Sequence, residues 1–67
     1  MKLGKKLKTA LELIQPASGR AIEDAKWYEP GRFGIKEETF DDLLARGLVE
    51  TDGERFRILP AGIAALQ

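Results

Sequence analysis

The sequence predicts a single small α+β domain, mainly helical, in which three helices are followed by a two-stranded β-hairpin and a short C-terminal helix. Three observations lead to this prediction. Apolar residues recur at helical spacing near the N-terminus, a glycine directly follows a later helical segment, and an Asp-Gly pair separates two β-rich runs. With 67 residues the chain has room for one hydrophobic core, so we expect residues 1–67 to form one domain.

A first amphipathic helix is predicted over residues 2–14. One face carries apolar side chains at intervals of three or four residues, namely Leu3, Leu7, Ala10, Leu11 and Ile14. Pro16 disfavours helical geometry at Gln15, so the helix is predicted to end near Ile14.

A second helix is predicted over residues 19–28, "GRAIEDAKWY", with Ser18 as its N-cap. Its apolar stripe consists of Ala21, Ile22, Ala25 and Tyr28. Trp27 then lies off the stripe. A proline and two glycines predict a loop over residues 29–34.

A third helix is predicted over residues 35–46. The side chains expected to face inward are Phe40, Leu43 and Leu44. Acidic residues in its first turn, Glu37 and Glu38, are favoured there by the helix dipole. Gly47 follows directly, as expected for a residue in left-handed geometry that ends a helix.

The segment "LVETDGERFRIL", residues 48–59, predicts a β-hairpin in which Asp52 and Gly53 form a two-residue turn. In this register the cross-strand pairs are Thr51–Glu54, Glu50–Arg55 and Val49–Phe56. The inner face then consists of Val49, Phe56 and Ile58. On the outer face, Glu50 and Arg55 form an ion pair, and Arg57 stays free.

A short last helix is predicted for residues 60–67. Leu59 should be extended because it precedes proline, and Pro60 suits the first turn of a helix. Ile63 and Leu66 in this helix either dock on a second copy, giving a homodimer, or close the domain's own core. The sequence leaves both alternatives open.

The composition excludes several classes of function. Cysteine and histidine are absent, which removes the usual nucleophile–base pairs and nearly all zinc sites. The carboxylates at residues 37–42 do not match the spacing of a calcium loop. We therefore expect no enzyme activity, no cofactor and no metal. No stretch approaches the roughly 20 apolar residues that span a bilayer, and the lack of cysteine suits a reducing compartment, so we expect a cytoplasmic protein without a membrane partner.

Charge is balanced overall, with 11 basic and 11 acidic residues, but it is unevenly distributed. Residues 1–34 carry seven basic and four acidic side chains, a net of +3. Residues 35–67 carry four basic and seven acidic side chains, a net of −3. Either the first half presents a basic face to an anionic partner, or the two halves neutralise each other within one fold.

The segment "LLARGLVETDGERFRILPAGIAAL", together with the predicted element order, resembles the winged helix-turn-helix domains of bacterial transcription regulators. In many of them a third helix leads through an "L..RGLV" junction into a hairpin wing, and a "TPAG.AAL"-like segment begins the next helix. The matching positions here are Leu43, Leu44, Arg46, Gly47, Leu48 and Val49, then Pro60, Ala61, Gly62, Ala64, Ala65 and Leu66. The resemblance covers residues 40–67 in sequence and residues 1–34 only in the order of helices. It implies a small winged-helix domain that binds DNA and regulates transcription.

In that family the third helix lies in the major groove of DNA. Carried over to this chain, the positions exposed near its start are Lys36, Glu37, Glu38, Thr39, Asp41 and Asp42. Only Lys36 and Thr39 suit a polyanion, because carboxylates repel phosphate. The chain also departs from the family pattern at residues 29–34, a gap longer than a standard helix-turn-helix turn, and at Leu59, where a threonine is usual.

Two functional hypotheses follow. In the first, the domain binds double-stranded DNA, in part through the first helix and the "GRF" loop; the candidate contacts are Lys5, Lys8, Arg32, Lys36, Thr39 and Arg57. In the second, it binds a protein or forms a subunit of a larger assembly; the candidate contacts are Trp27, Phe33, Glu38, Asp41 and Asp42. A purely structural interpretation also exists, in which the charges form solvated helix faces and Trp27 shields the edge of the core.

Overall fold

Three α-helices and one antiparallel β-hairpin form the protein in a computed structural model that describes residues 3–16 and 22–67. In chain order the elements are α1 (Lys5–Ile14), α2 (Glu37–Ala45), β1 (Val49–Thr51), β2 (Phe56–Ile58) and α3 (Pro60–Ala65). Two 3₁₀ turns, Ile22–Asp24 and Arg32–Gly34, lie between α1 and α2. The predicted α+β class, mainly helical with a hairpin, is confirmed. Within the described ranges, no helix has the length and apolar run that a bilayer crossing requires.

Helix α1 buries the stripe that the sequence predicts. Its fully or nearly fully buried side chains are Leu7, Ala10, Leu11 and Ile14, and Leu3 packs against the same core from just before the helix. The helix begins at Lys5, because Gly4 is extended at the N-cap. It ends as predicted, with Gln15 extended before Pro16.

The prediction of a second helix is wrong for the part of residues 19–28 that the structure describes. Only Ile22–Asp24 forms a 3₁₀ turn, and the chain is then extended as far as Tyr28. There it pairs with Phe56 in an antiparallel bridge, with both N–H···O distances at 2.8 Å. An exposed strand edge carries unpaired N–H and C=O groups, and pairing with this edge replaces the local helix. Ser18 and residues 19–21 lie outside the described residues.

Helix α2 occupies the centre of the predicted third helix and differs in one inward-facing residue. Phe40 and Leu43 are fully buried, whereas Leu44 is 38% exposed, so its predicted inward position is wrong. Each residue advances about 100° around a helix, and Thr39, 5% exposed, takes the buried position instead. Gly47 has a φ of 74° and ends the helix, as predicted.

The hairpin forms with a register two residues away from the predicted one. The pairs are Val49↔Ile58, Glu50↔Arg57 and Thr51↔Phe56. A two-residue turn of the usual type needs positive φ at both central residues, but Gly53 alone has it, at 107°. The chain instead makes a four-residue loop, in which the Asp52 carboxylate accepts hydrogen bonds from the backbone N–H groups of Glu54 and Arg55.

A shift of two residues preserves the face on which each strand residue lies. The predicted inner face, Val49, Phe56 and Ile58, is therefore buried as expected. The predicted ion pair between Glu50 and Arg55 does not form. Glu50 instead forms an ion pair with Arg57 at 2.6 Å, and Arg55 forms one with Asp52 at 3.1 Å.

The core lies between α1, α2 and the inner face of the hairpin. Its centre contains an aromatic stack, in which the rings of Phe40 and Phe56 lie 4.7 Å apart and almost parallel. Helix α3 closes this core from the C-terminal side. Ile63 is 7% exposed within the core cluster, and Leu66 packs against it. Ile63 is thus buried in the core of its own domain, which is the second of the two alternatives that the sequence leaves open.

Gly62 explains part of the Pro-Ala-Gly pattern at the start of α3. A Cβ atom at this position would lie 2.5 Å from the carbonyl oxygen of Leu48 and 2.7 Å from Cγ1 of Ile58. Helix α3 therefore approaches the hairpin more closely than any residue with a side chain allows.

We expect Gly62→Ala to lower the free energy of unfolding by about 1–3 kcal/mol, because the contact with the Leu48 carbonyl forces the backbone to move. Urea denaturation measures the change. The matched control is Ala61→Ser, one residue earlier in the same turn and exposed, for which we expect a change within about 0.5 kcal/mol. Equal stability of the Gly62→Ala and Ala61→Ser variants would contradict the close packing of α3.

Candidate interaction site

An open groove of about 480 Å³ lies between α1 and the Arg32–Gly34 turn. We call it the α1 groove. Its apolar wall and floor consist of Ala10, Leu13, Phe33 and Ile35, and two lysines, Lys5 and Lys6, lie at its border. Thr9, Gly34 and Thr39 complete the lining, which contains no acidic residue. The groove thus combines exposed apolar surface with positive charge.

Helix α1 contributes one flank to this groove. Lys6, Ala10 and Leu13 follow one another at helical spacing along the edge of the buried stripe, to which Ala10 belongs, so they face the same side. Leu13 is 43% exposed, although it is a large apolar residue. Lys8 is exposed on the same helix but does not line the α1 groove.

Phe33 forms the opposite wall in an unusual backbone conformation. Its φ is 57°, the one positive value for a non-glycine residue in the described part of the chain. Its ring is nevertheless 51% exposed, and it contacts the Tyr28 ring at a centroid distance of 5.3 Å. Left-handed geometry costs a residue with a side chain about 1–2 kcal/mol, so the fold sustains strain while presenting this ring to solvent.

The turn that carries Phe33 is held by short backbone hydrogen bonds. Gly31 donates to the Ile35 carbonyl at 2.6 Å, and Gly34 donates to the Gly31 carbonyl at 3.1 Å. Both glycines also have positive φ, at 92° and 78°. The backbone of the turn therefore sets the direction in which the Phe33 side chain leaves the chain, and its ring lies against Tyr28 and Arg32.

The exposed surface of α2 is acidic. Glu37, Glu38, Asp41 and Asp42 are all exposed, and of these Asp42 forms an ion pair, with Arg46 at 3.1 Å. Lys36 is exposed at the N-cap. Thr39, a predicted DNA contact, is buried and lines the α1 groove, so its predicted exposed position is wrong, and the DNA contact itself stays a prediction. Helix rotation explains the error, because Thr39 shares the inner face with Leu43.

Trp27 lies over charged residues of the hairpin. The guanidinium carbon of Arg57 is 4.5 Å from the indole centroid, and that of Arg55 is 5.8 Å away. Arg57 also donates to the Glu50 carboxylate from two of its nitrogens. The prediction that Arg57 stays free of an ion pair is therefore wrong, and its contact with DNA stays a prediction. The indole is half-buried by these contacts, and the segment that carries it is extended rather than helical.

A second groove of about 530 Å³ lies beside Trp27, and we call it the Trp27 groove. Three cations line it, Lys26, Arg32 and Arg55, together with one acid, Glu29. Trp27, Tyr28, Pro30 and Gly31 complete the lining. Its surface is charged and aromatic, in contrast to the apolar α1 groove.

The structure places seven of the eleven predicted site residues at three concave surfaces, whereas Lys8, Lys36, Asp41 and Arg57 line none of them. Lys5, Phe33 and Thr39 line the α1 groove, and Arg32 and Trp27 line the Trp27 groove. Glu38 and Asp42 line a third concavity with Lys6, near the start of α1, while Asp41 is exposed outside these grooves. The sequence analysis assigned no role to Leu13 or Lys26. Leu13 was detectable as an apolar residue off the buried stripe of α1.

Comparison with protein-family models, with curated proteins and with solved structures finds no match to this chain. Within residues 3–16 and 22–67, no three acidic side chains converge in a way that would hold a metal ion.

Asp52 gives the hairpin loop a pH dependence. Hydrogen bonds from the backbone N–H groups of Glu54 and Arg55 lower the pKa of its carboxyl from 3.8 to about 2. Because the pKa in the folded state is lower than in the unfolded state, ionised Asp52 stabilises the fold above about pH 4 and loses this effect as the pH falls to about 2.

We therefore expect wild type to lose more stability than Asp52→Asn between about pH 4 and pH 2, because asparagine does not titrate. Urea midpoints of both proteins at the two pH values measure the difference. An NMR titration of the Asp52 carboxyl provides the independent check, with a midpoint near the value of about 2. A midpoint at the ordinary value of 3.8 would contradict the loop geometry.

Proposed function

We propose that this chain is a protein-interaction domain of winged-helix type, in which the α1 groove receives part of a partner protein. The observation that carries the proposal is the exposed pair of Leu13 and Phe33 facing one groove, with Phe33 held at a φ of 57°. Strained residues that present a side chain to solvent occur mainly at functional sites. Aromatic residues in pockets dominate the energy of protein interfaces.

The winged-helix part of the proposal rests on the order of elements and on the sequence resemblance. Helix α2 leads through Gly47 into the hairpin, and α3 begins at Pro60, which agrees with the family pattern over residues 40–67. Residues 22–28 instead form a short turn and an extended segment. The lack of an α-helix over these residues argues against the helix-turn-helix pair with which winged helix-turn-helix domains bind DNA.

Electrostatics also favours a protein over DNA as the partner of α2. Four exposed carboxylates lie in the first two turns of this helix, the part that would enter the major groove, and they would repel phosphate there. Of the two α2 positions suited to DNA, Lys36 alone is exposed, since Thr39 is buried.

The test replaces Phe33 with asparagine, a residue that tolerates left-handed geometry. Phe33→Asn removes the ring while keeping the turn, and we expect its stability to remain within about 1 kcal/mol of wild type, since the lost contact with Tyr28 is offset by relieved strain. In affinity purification from cell extract, we expect wild type to retain a specific partner and Phe33→Asn to lose it.

Leu44→Asn is the matched control, because Leu44 is an exposed leucine on α2 outside the α1 groove. This variant should retain the partner. If Phe33→Asn retains every protein that wild type retains, the α1 groove is not the binding site and the proposal fails.

A second candidate function is DNA binding through the Trp27 groove. The observation that favours it is the set of three cations, Lys26, Arg32 and Arg55, around an aromatic wall. Cations neutralise phosphates, and an indole offers a face on which bases stack. Under this candidate, DNA meets the side of the hairpin and the "GRF" turn rather than α2.

A duplex titration at low salt, followed by NMR, tests this second candidate. We expect shift changes at Lys26, Trp27 and Arg32, with log affinity falling against log salt by about 0.9 per phosphate contacted. Arg32→Ala should reduce that slope by about 0.9, whereas Lys8→Ala, on the far side of α1, should leave it unchanged. An absence of shift changes with excess duplex would end this candidate.

A further inference from the structure

We infer that the α1 groove takes a short amphipathic segment of the partner, with apolar side chains seated between Leu13 and Phe33 and carboxylates directed to Lys5 and Lys6. This inference rests on the proposed function, because it names the chemistry of the partner that the same groove would bind. It follows from the size of the groove, its lining and the sign of its charge.

The size of the groove limits the occupant to a short segment. A volume of about 480 Å³ lies in the range of sites that enclose a few apolar groups, and it is far too small for a folded domain. Leu13 on a helix and Phe33 on a turn form two facing walls, so a row of apolar side chains fits between them. An amphipathic helix presents such a row at intervals of three and four residues.

The charge at the border selects acidic residues in that segment. Lys5 and Lys6 lie at the groove, and none of its lining residues is acidic. Glu38 and Asp42 line a neighbouring concavity, which shares Lys6 and Thr39 with the α1 groove. Carboxylates flanking the apolar row would therefore meet both lysines without meeting another carboxylate in the groove.

The apolar lining argues against a nucleic acid at this place. Phosphate and sugar groups form hydrogen bonds and ion pairs with their protein contacts. Ala10, Leu13 and Ile35 provide neither, so a nucleic acid strand in the groove would lose hydration without compensation. Two lysines alone would remain as partners for its phosphates.

The experiment uses two synthetic helical peptides of about 15 residues with leucines at the same positions and flanks of either glutamate or lysine. Each is titrated into the isotopically labelled chain and followed by NMR. We expect the glutamate peptide to bind at least about 5-fold more tightly, with shift changes at residues 5–13 and 33–35. Raising the salt from about 0.02 to about 0.5 M should reduce this preference.

Variants identify the side chains responsible. Lys6→Glu should weaken binding of the glutamate peptide by about 2- to 5-fold, whereas Lys8→Glu, the matched lysine outside the groove, should change it by less than about 2-fold. Phe33→Asn should abolish the shift changes. Equal affinity for both peptides, no shift changes at about 1 mM glutamate peptide, or changes outside the groove would overturn the inference.

The outcomes separate this inference from the proposed function. If Phe33→Asn loses its protein partner but Lys6→Glu retains it at full affinity, the groove binds a partner, and the inference that the bound segment is acidic is wrong. If Phe33→Asn retains the partner, both fail. Shift changes at the groove that depend on protein concentration, without peptide, would identify a second copy as the occupant and would also overturn the acidic segment.

Discussion

The fold depends on the pairing and packing of Phe56, through which three parts of the chain meet. Its ring stacks on Phe40 of α2 at 4.7 Å, which attaches the hairpin to the helices. Its backbone N–H and C=O groups both bond to Tyr28, which attaches the extended segment before the "GRF" turn. Across the hairpin it lies opposite Thr51. A small domain has few long-range contacts, so one residue that joins the hairpin both to α2 and to Tyr28 has a large share in its stability.

This arrangement also determines where the candidate site lies. Tyr28 is fixed on β2 through its backbone, and its ring supports Phe33 at 5.3 Å. The wall of the α1 groove is thus connected to the core through two aromatic residues, Tyr28 and Phe56.

Much of the fold could be predicted from local sequence, and the errors have identifiable causes. The C-terminal end of α1, the glycine stop at Gly47 and the inner face of the hairpin depend on local geometry or on a period of two, and they were predicted correctly, whereas α1 begins at Lys5 and not at residue 2. The helix at residues 19–28 was wrong because the bridge from Tyr28 to Phe56 spans 28 residues and leaves no local signal. The hairpin register was wrong because the conformation of Asp52 depends on hydrogen bonds that composition does not reveal.

The candidate site was less predictable for the same reason. Phe33 was identified from its aromatic character, but its partner Leu13 lies on another element, and no periodic pattern connects the two.

The contact of Trp27 with Arg57 has a further consequence, because the chain contains a single tryptophan. The tryptophan emission of the chain therefore originates from one place, the junction between the extended segment and the hairpin. Changes in its emission wavelength or anisotropy will report whether that junction is closed, without any extrinsic label.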